Sequence, residues 1–394
     1  MDVATLEWLV TAPGQRLLAA AAEVRAEAGE DVVRAARDVR RLEADPDRAA
    51  AAMTQVRLRA RARRKFGADA ALMYFTPDGL EQATRRPVAA HRASRLALAR
   101  PGSVVDLGCG IGGDLVAFAR AGLTAAGIDL DPLRVAIAAA NLEALGLPGA
   151  TMEADATTLD LAPFSVAFAD PARRTPQGRA FRVDDWAPPW PFVEGLLRRA
   201  AVVKVAPGIA HDLVPDGVEA EWVSDGGEVV EAVLWSGVLA SAARRATVIG
   251  SGGLATLTEE DDPYAGRDRP VRDLGAFLYE PDGAVIRAGL VTAVAAGVGG
   301  GLLDERIAYV TGDAAYRTPF ARGYRILERL PYREKQLRAA LRERRIGTLT
   351  IKKRGVDVVP ERLRERLALQ GDREATLVMT RLAGAGAALL VEPL

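Results

Sequence analysis

The chain has one cysteine and two histidines in 394 residues. A single thiol cannot build a disulfide framework, a cysteine-rich zinc site or an iron–sulfur cluster within one chain, and it fits a reducing compartment. His91 and His211 lie far apart in sequence, which argues against a histidine-built metal site. Net charge is missing as well. The 52 Lys and Arg residues balance 52 Asp and Glu, so attraction for a polyanion has to come from local patches and not from the field of the whole chain. Long apolar runs are absent: residues 289–303 are the most apolar of the later stretches, but glycines interrupt them and they fall short of the roughly 20 residues a membrane span needs. The first residues include Asp2 and Glu7 without a basic region and apolar core, so no signal peptide is expected and a cytoplasmic location is.

What remains is an ordinary globular composition, 49% hydrophobic and 26% charged, with enough length for two or three domains. The most informative stretch is residues 104–131, VVDLGCGIGGDLVAFARAGLTAAGIDLD. A short apolar run enters a turn at Gly108, Gly110, Gly112 and Gly113, an amphipathic run follows, and a second apolar run ends on Asp129. This predicts strand, tight turn, helix and strand, one βαβ unit whose turn admits a ligand close to the backbone. A dinucleotide site would offer Gly-x-Gly-x-x-Gly with an acid about 20 residues on, and Gly108, Gly110, Gly113 and Asp129 satisfy that pattern. Asp106 points elsewhere. A carboxylate just before the first glycine would repel a pyrophosphate but can pair with a cationic amino-acid group.

The resulting Asp-x-Gly-x-Gly-x-Gly through Asp106, Gly108, Gly110 and Gly112 resembles motif I of the class I S-adenosylmethionine methyltransferases. The resemblance implies an α/β, Rossmann-like sheet. It assigns cofactor contacts to these four residues, to Asp129 and Leu130 at the ribose, and to Asp155 and Ala156 at the adenine. A later apolar run ends in Asp170-Pro171-Ala172-Arg173, where nucleic-acid amino methyltransferases carry a catalytic Asp-Pro-Pro followed by an aromatic or Arg. Asp170 and Pro171 are thereby implied as acceptors for a target amino group, and Arg173 as a phosphate or base-edge contact. Ala172 and Arg173 depart from the commoner pattern, so the adenine target does not carry over. Methylation of pyrimidine C5 is disfavoured, because the usual cysteine nucleophile sits at the target base whereas Cys109 is at the cofactor turn.

Residues 1–70 are expected to be helical and to end in the basic run RLRARARRK, 57–65, read either as a phosphate-contacting edge or as a solvated helix face. Ahead of motif I, the text LEQAT (80–84) resembles the corresponding segment of bacterial methyltransferases with a THUMP-like C-terminal domain, which makes Gln82 and Thr84 candidate cofactor contacts. Lys204, in an apolar fifth strand, needs a partner. Residues 219–235 read as a hairpin around Asp225-Gly226-Gly227, and 244–249 as a further edge strand.

The turn-rich text near 259 marks a boundary, giving an N-terminal helical region (1–70), a methyltransferase domain (71–258) and an α+β domain (259–394) that resembles the THUMP-like module of the same family. Over 320–374 this module carries 16 Lys and Arg against 8 Asp and Glu. Lys352, Lys353 and Arg354, at a strand end before Gly355, read as a phosphate-contacting turn and point to RNA as the partner. Methylation of an RNA nitrogen is therefore the leading expectation. Methylation of a small molecule or protein, and cofactor binding without catalysis, stay open beside it.

Overall fold

The computed structural model describes residues 1–171, 188–264 and 271–394, together with backbone positions 174–175 and 178–179. The chain forms two compact units: Met1–Val205 with Asp216–Val218 and Val233–Ala240, and Ala206–Pro215 with Glu219–Ala232 and Ser241–Leu394. Among the described residues no helix is long and apolar enough to cross a membrane.

The first unit opens with four helices, α1 (Val3–Val10), α2 (Ala12–Ala28), α3 (Val32–Leu42) and α4 (Pro46–Phe66). Each starts on a side-chain cap, from Asp2, Thr11, Asp31 and Asp45 in turn, which accepts from an otherwise orphan N–H of the first turn. Leu6, Leu9, Leu17, Leu18 and Leu58 of these helices close over Ile111 and Ile137, so the helical region shares a core with the glycine turn. Two short helices follow, α5 (Pro77–Gln82) and α6 (Arg86–Leu98). The chain then runs β1 (Val104–Leu107), α7 (Gly113–Arg120), β2 (Ala125–Asp129), α8 (Pro132–Ala144), β3 (Ala150–Glu153) and β4 (Val166–Ala169). After the two-residue ladder β5 (Arg174–Thr175) and β6 (Gly178–Arg179) come α9 (Trp190–Leu196) and β7 (Ala201–Val205).

The strands lie in the order β3-β2-β1-β4-β7, with every neighbouring pair parallel. Alternate residues face opposite layers. Val104, Phe168 and Val202 pack with Leu115 and Phe118 of α7, whereas Val105, Ala167 and Ala201 pack with Leu196 of α9. Both faces are covered, as a parallel sheet requires. Strand order reverses between β1 and β4, and ligands of doubly wound sheets sit at that crevice, outside the strands' carboxyl ends.

The second unit holds β8 (Glu219–Asp225), most of β9 (Glu228–Trp235), β10 (Arg244–Gly250) and β11 (Gly253–Thr258). The turn between β8 and β9 uses Gly226 and Gly227 at φ of 62° and 85°, the left-handed region that favours glycine. Residues 244–249 are not an edge: β10 lies between β8 and β11, because the glycine-rich 250–253 turn brings β11 back antiparallel to it.

Beyond these lie β12 (Phe277–Pro281), α10 (Gly283–Ala288), α11 (Val291–Gly297), β13 (Gly301–Asp304) and β14 (Ile307–Gly312). The chain ends with β15 (Ala321–Leu330), α12 (Glu334–Glu343), β16 (Ile346–Lys353), α13 (Pro360–Leu367), β17 (Arg373–Leu382) and β18 (Ala385–Pro393). The seven strands from β12 onward form one sheet, ordered β13-β14-β12-β15-β18-β17-β16, with α12 and α13 packed on β16.

Candidate active site

The glycine turn leaves β1 with Gly108, Gly110 and Gly112 at φ of 85°, 56° and 80°. It is pinned to the neighbouring strand by the Gly108 and Cys109 amides, which both donate to the Ile128 carbonyl at 2.8 Å. A Cβ at Gly112 would press on Ala138 of α8 at 3.1 Å, so that glycine also serves helix packing. At Gly108 and Gly110 a Cβ would meet nothing within 4 Å. The space over the turn is open there, and only the backbone conformation calls for glycine.

Carboxylates ring this space. Asp106 is 2% exposed and has no hydrogen-bond partner among the described residues. Burial pushes its pKa well above the ordinary carboxylate range, and Asp114, Asp170 and Asp129 push it further, with only partial relief from Arg92. Asp129, at the end of β2, accepts from the Gly110 and Asp131 amides, each at 3.0 Å, which orients it toward the turn. Leu130 beside it is exposed. The Ala154 amide donates to the Asp129 carbonyl at 3.1 Å and so brings the loop after β3 alongside. In that loop Ala156 is half-buried, and Asp155 accepts from the Thr157 amide (2.8 Å) and hydroxyl (2.7 Å), bonds that hold its carboxyl below the usual range. Cys109 is buried and its thiol is pushed up, by burial first and by Asp106 and Asp129 next, so it stays protonated and unreactive at neutral pH.

At the end of β4, Asp170 is about a third exposed and Pro171 is buried. Lys204 of β7 supplies the partner its position demands: Nζ donates to Asp170 Oδ2 at 2.6 Å and to Thr84 Oγ1 at 3.1 Å. The Thr84 hydroxyl donates in turn to Asp114 Oδ2 at 2.8 Å, and buried Arg92 holds the other oxygen of Asp114. Arg92, Asp114, Thr84, Lys204 and Asp170 thus form one continuous polar network. Thr84 spends its only hydroxyl proton inside it, whereas Gln82 is exposed on α5. Arg173 lies outside the described residues.

In the C-terminal sheet the three cations of the 352–354 turn are not equivalent. Lys352 donates to Glu280 of β12 at 2.5 Å, and the Arg354 guanidinium sits over the Tyr309 ring, 5.4 Å from its centroid. Lys353 is exposed. Of the three cations read as a phosphate-contacting turn, an acid on one strand and an aromatic ring on another turn two back onto the sheet.

Residues 104–173 match a family model described as a methyltransferase domain, residues 321–393 one described as THUMP domain-like, and residues 2–62 a domain of unknown function (DUF8688). Two uncharacterized S-adenosylmethionine-dependent methyltransferases of Mycobacterium tuberculosis, from strains CDC 1551 and H37Rv, are each 42% identical over 324 residues, spanning 79% of this chain and 85% of theirs. The chain belongs to the S-adenosylmethionine-dependent methyltransferases. A crystal structure from Porphyromonas gingivalis W83, designated a methyltransferase, shares the fold with a TM-score of 0.72 at 22% identity, covering 99% of this chain and 97% of that one.

The residues present fit the cofactor of this methyltransferase. S-adenosylmethionine carries an ammonium, ribose hydroxyls and an adenine amino group, all hydrogen-bond donors. The turn offers open space over two glycines, a buried carboxylate in Asp106 that has no partner among the described residues, and acceptors in Asp129 and Asp155. Spacing alone did not indicate Asp114, Arg92 or Asn141. Asn141, fully buried in α8, donates to the Ile111 carbonyl at 2.8 Å and accepts from the Tyr74 amide at 2.6 Å, tying the glycine turn to the segment before α5. A charged or amide residue on an otherwise apolar helix face was the available signal.

Proposed function

We propose that this methyltransferase acts in the cytoplasm on a nitrogen of a structured RNA, a transfer or ribosomal RNA, with the C-terminal module contributing to RNA binding. The observation that carries this reading is Asp170-Pro171 at the carboxyl end of β4, with Asp170 Oδ2 tethered by Lys204 at 2.6 Å. The tether sets the carboxylate's orientation, so Oδ1 and the Pro171 carbonyl can accept from the two hydrogens of a target amino group. That leaves the nitrogen lone pair aimed at the methyl donor. When bound, S-adenosylmethionine supplies an electrophilic methyl group on a sulfonium, so positioning at about 3 Å contributes more than activation of the nucleophile. Held at the glycine turn, S-adenosylmethionine would supply the methyl group and keep the C–S electron pair on sulfur, and Asp170 would take the surplus proton of the target nitrogen.

Asp106, Asp129, Leu130, Asp155 and Ala156, with the glycines of the turn, are the cofactor contacts in this reading, and Gln82 borders them from α5. Arg173 would hold phosphate or a base edge. The THUMP domain-like match over 321–393 and the basic composition of that module support RNA over a small molecule. In this reading residues 1–70 supply helical support, 71–258 methyl transfer and 259–394 RNA binding.

The test is transfer of labelled methyl from S-adenosylmethionine into fractionated RNA, DNA, protein and metabolites from a strain lacking the protein. Label in one RNA fraction, lost with Asp170→Ala, is expected. Label confined to protein or metabolites would move the basic module to a structural role, and no label anywhere would leave cofactor binding without catalysis.

A further inference from the structure

The N-terminal helical region grips the backbone of residues 72–84 with side chains spaced along α4. Gln55 pairs with Phe75 through both amide groups, donating to its carbonyl at 2.8 Å and accepting from its N–H at 3.0 Å. Arg59 donates to the Met73 carbonyl at 2.9 Å and the Leu72 carbonyl at 3.2 Å. Lys65, on the last turn of α4, donates to the carbonyls of Leu80 (2.8 Å), Glu81 (2.6 Å) and Ala83 (2.8 Å). The basic run 57–65 therefore divides: Arg57, Arg61, Arg63 and Arg64 face solvent, whereas Arg59 and Lys65 turn inward onto carbonyls.

The gripped segment lies on the glycine turn. A Cβ at Gly79 would collide with the Ile111 side chain, and a Cβ at Gly113 would lie 3.7 Å from Ala83 and 3.8 Å from the Phe66 ring. Three carbonyls at the end of a short helix need three N–H donors, and an ammonium is the one side-chain group that brings three from a single atom.

We propose that Lys65 is a positioning residue for the cofactor: its ammonium clamps the 80–83 carbonyls, fixes Gln82 and Thr84 beside the glycine turn, and so raises affinity for S-adenosylmethionine. The inference rests on reading the 77–84 segment as a wall of the cofactor site. It assigns the N-terminal region a role in cofactor affinity that lies outside the methyl-transfer machinery.

The groups that face Lys65 make the clamp pH-sensitive. Burial, then Lys204 of β7 and Arg85 at the start of α6, lower its pKa to about 8, with Glu81 of α5 acting in the opposite direction. Above that pH the neutral amine keeps two N–H donors for three carbonyls.

Calorimetric titration of S-adenosylmethionine into the full-length protein tests this without any RNA substrate. Lys65→Met is expected to bind at least about tenfold more weakly near neutrality, given the strength of hydrogen bonds from a charged donor. Wild-type affinity should also fall more steeply than that of Lys65→Met as pH rises to about 9. The ligand's own α-amine titrates at about 7.7–8.0 and contributes equally to every protein, so the difference between proteins is the readout. Lys65→Arg, charged throughout, should lack the steeper fall. If Lys65→Met does not fold, the Arg variant carries the pH comparison alone. Affinity unchanged in Lys65→Met, or parallel pH profiles in wild type and Lys65→Arg, would overturn the proposal. Asp106→Asn separates this outcome from an error in locating the site, since it should weaken binding whatever Lys65 does.

Discussion

Ionising a carboxylate as fully buried as Asp106 has a cost that only a cation in contact can offset. The folded protein without cofactor therefore holds this proton to higher pH than the unfolded chain, whose Asp titrates at about 3.9. Between these two pKa values the folded state binds the extra proton. Stability of the cofactor-free protein must accordingly fall as pH rises from about 4 through the window up to the raised pKa. Asp106→Asn should flatten that fall in a series of thermal melts at stepped pH. It should also weaken S-adenosylmethionine binding by about 100-fold or more, because the ammonium loses a buried partner. Titrations in buffers of different ionisation enthalpy should show proton release on binding to the wild type and less release in the variant. A pH-independent melting temperature in the wild type would mean that Asp106 is already ionised and paired. Asp129 and Asp170 stood out in the sequence because each closes a short apolar run, a position that a parallel sheet converts into a shared edge, whereas Asp106 and Asp155 were singled out by the motif resemblance. Lys204 was legible as a charge in an apolar strand, though its link to Thr84 was not. Arg92, Asp114 and Lys65 were illegible because their partners lie far away in sequence, and no period in the sequence encodes such pairs.

At the scale of elements, the C-terminal sheet separates residues that hold the fold from those free to meet a polyanion. Lys352 reaches Glu280 at 2.5 Å and stands 5.7 Å from the Tyr324 ring centroid, whereas Lys353, next in line on the same strand, faces water. If the module binds RNA, Lys353→Ala should reduce the slope of log affinity against log salt by roughly one phosphate contact, with little change in melting temperature. Lys352→Met should do the opposite, lowering the melting temperature by leaving Glu280 half-buried without its cation and changing the salt slope little. Filter binding across a salt series and calorimetry on both variants would check this, and equal effects on the slope would return Lys352 to the binding surface. The α+β character expected of 259–394 is realised in β15, α12, β16, α13, β17 and β18. The strands β12 to β14 escaped notice because glycines break up the 289–303 stretch and because β12 gives way to α10 within two residues of Pro281.

At the scale of the molecule, the N-terminal helices are continuous with the cofactor-binding core. Leu6, Leu9, Leu17, Leu18, Leu58 and Phe66 are buried in one cluster with Ile111 of the glycine turn and Ile137 of α8. Each large apolar side chain removed from such a cluster forfeits roughly 1.5–3 kcal/mol of burial, and a handful of them equals the whole stability of an ordinary domain, about 5–15 kcal/mol. A methyltransferase sheet cut free of α1–α4 would expose Ile111 and Ile137 to water. It would also lose Gln55, Arg59 and Lys65, the grips on the 72–84 backbone. Removing residues 1–66 is therefore expected to abolish cooperative unfolding of the first unit and measurable S-adenosylmethionine binding together. Near-ultraviolet circular dichroism and calorimetric titration of the shortened chain would check this. Retention of a sharp melt with near-native cofactor affinity would instead make the helical region a separable appendage, and would remove the physical basis for a role of α4 at the cofactor site.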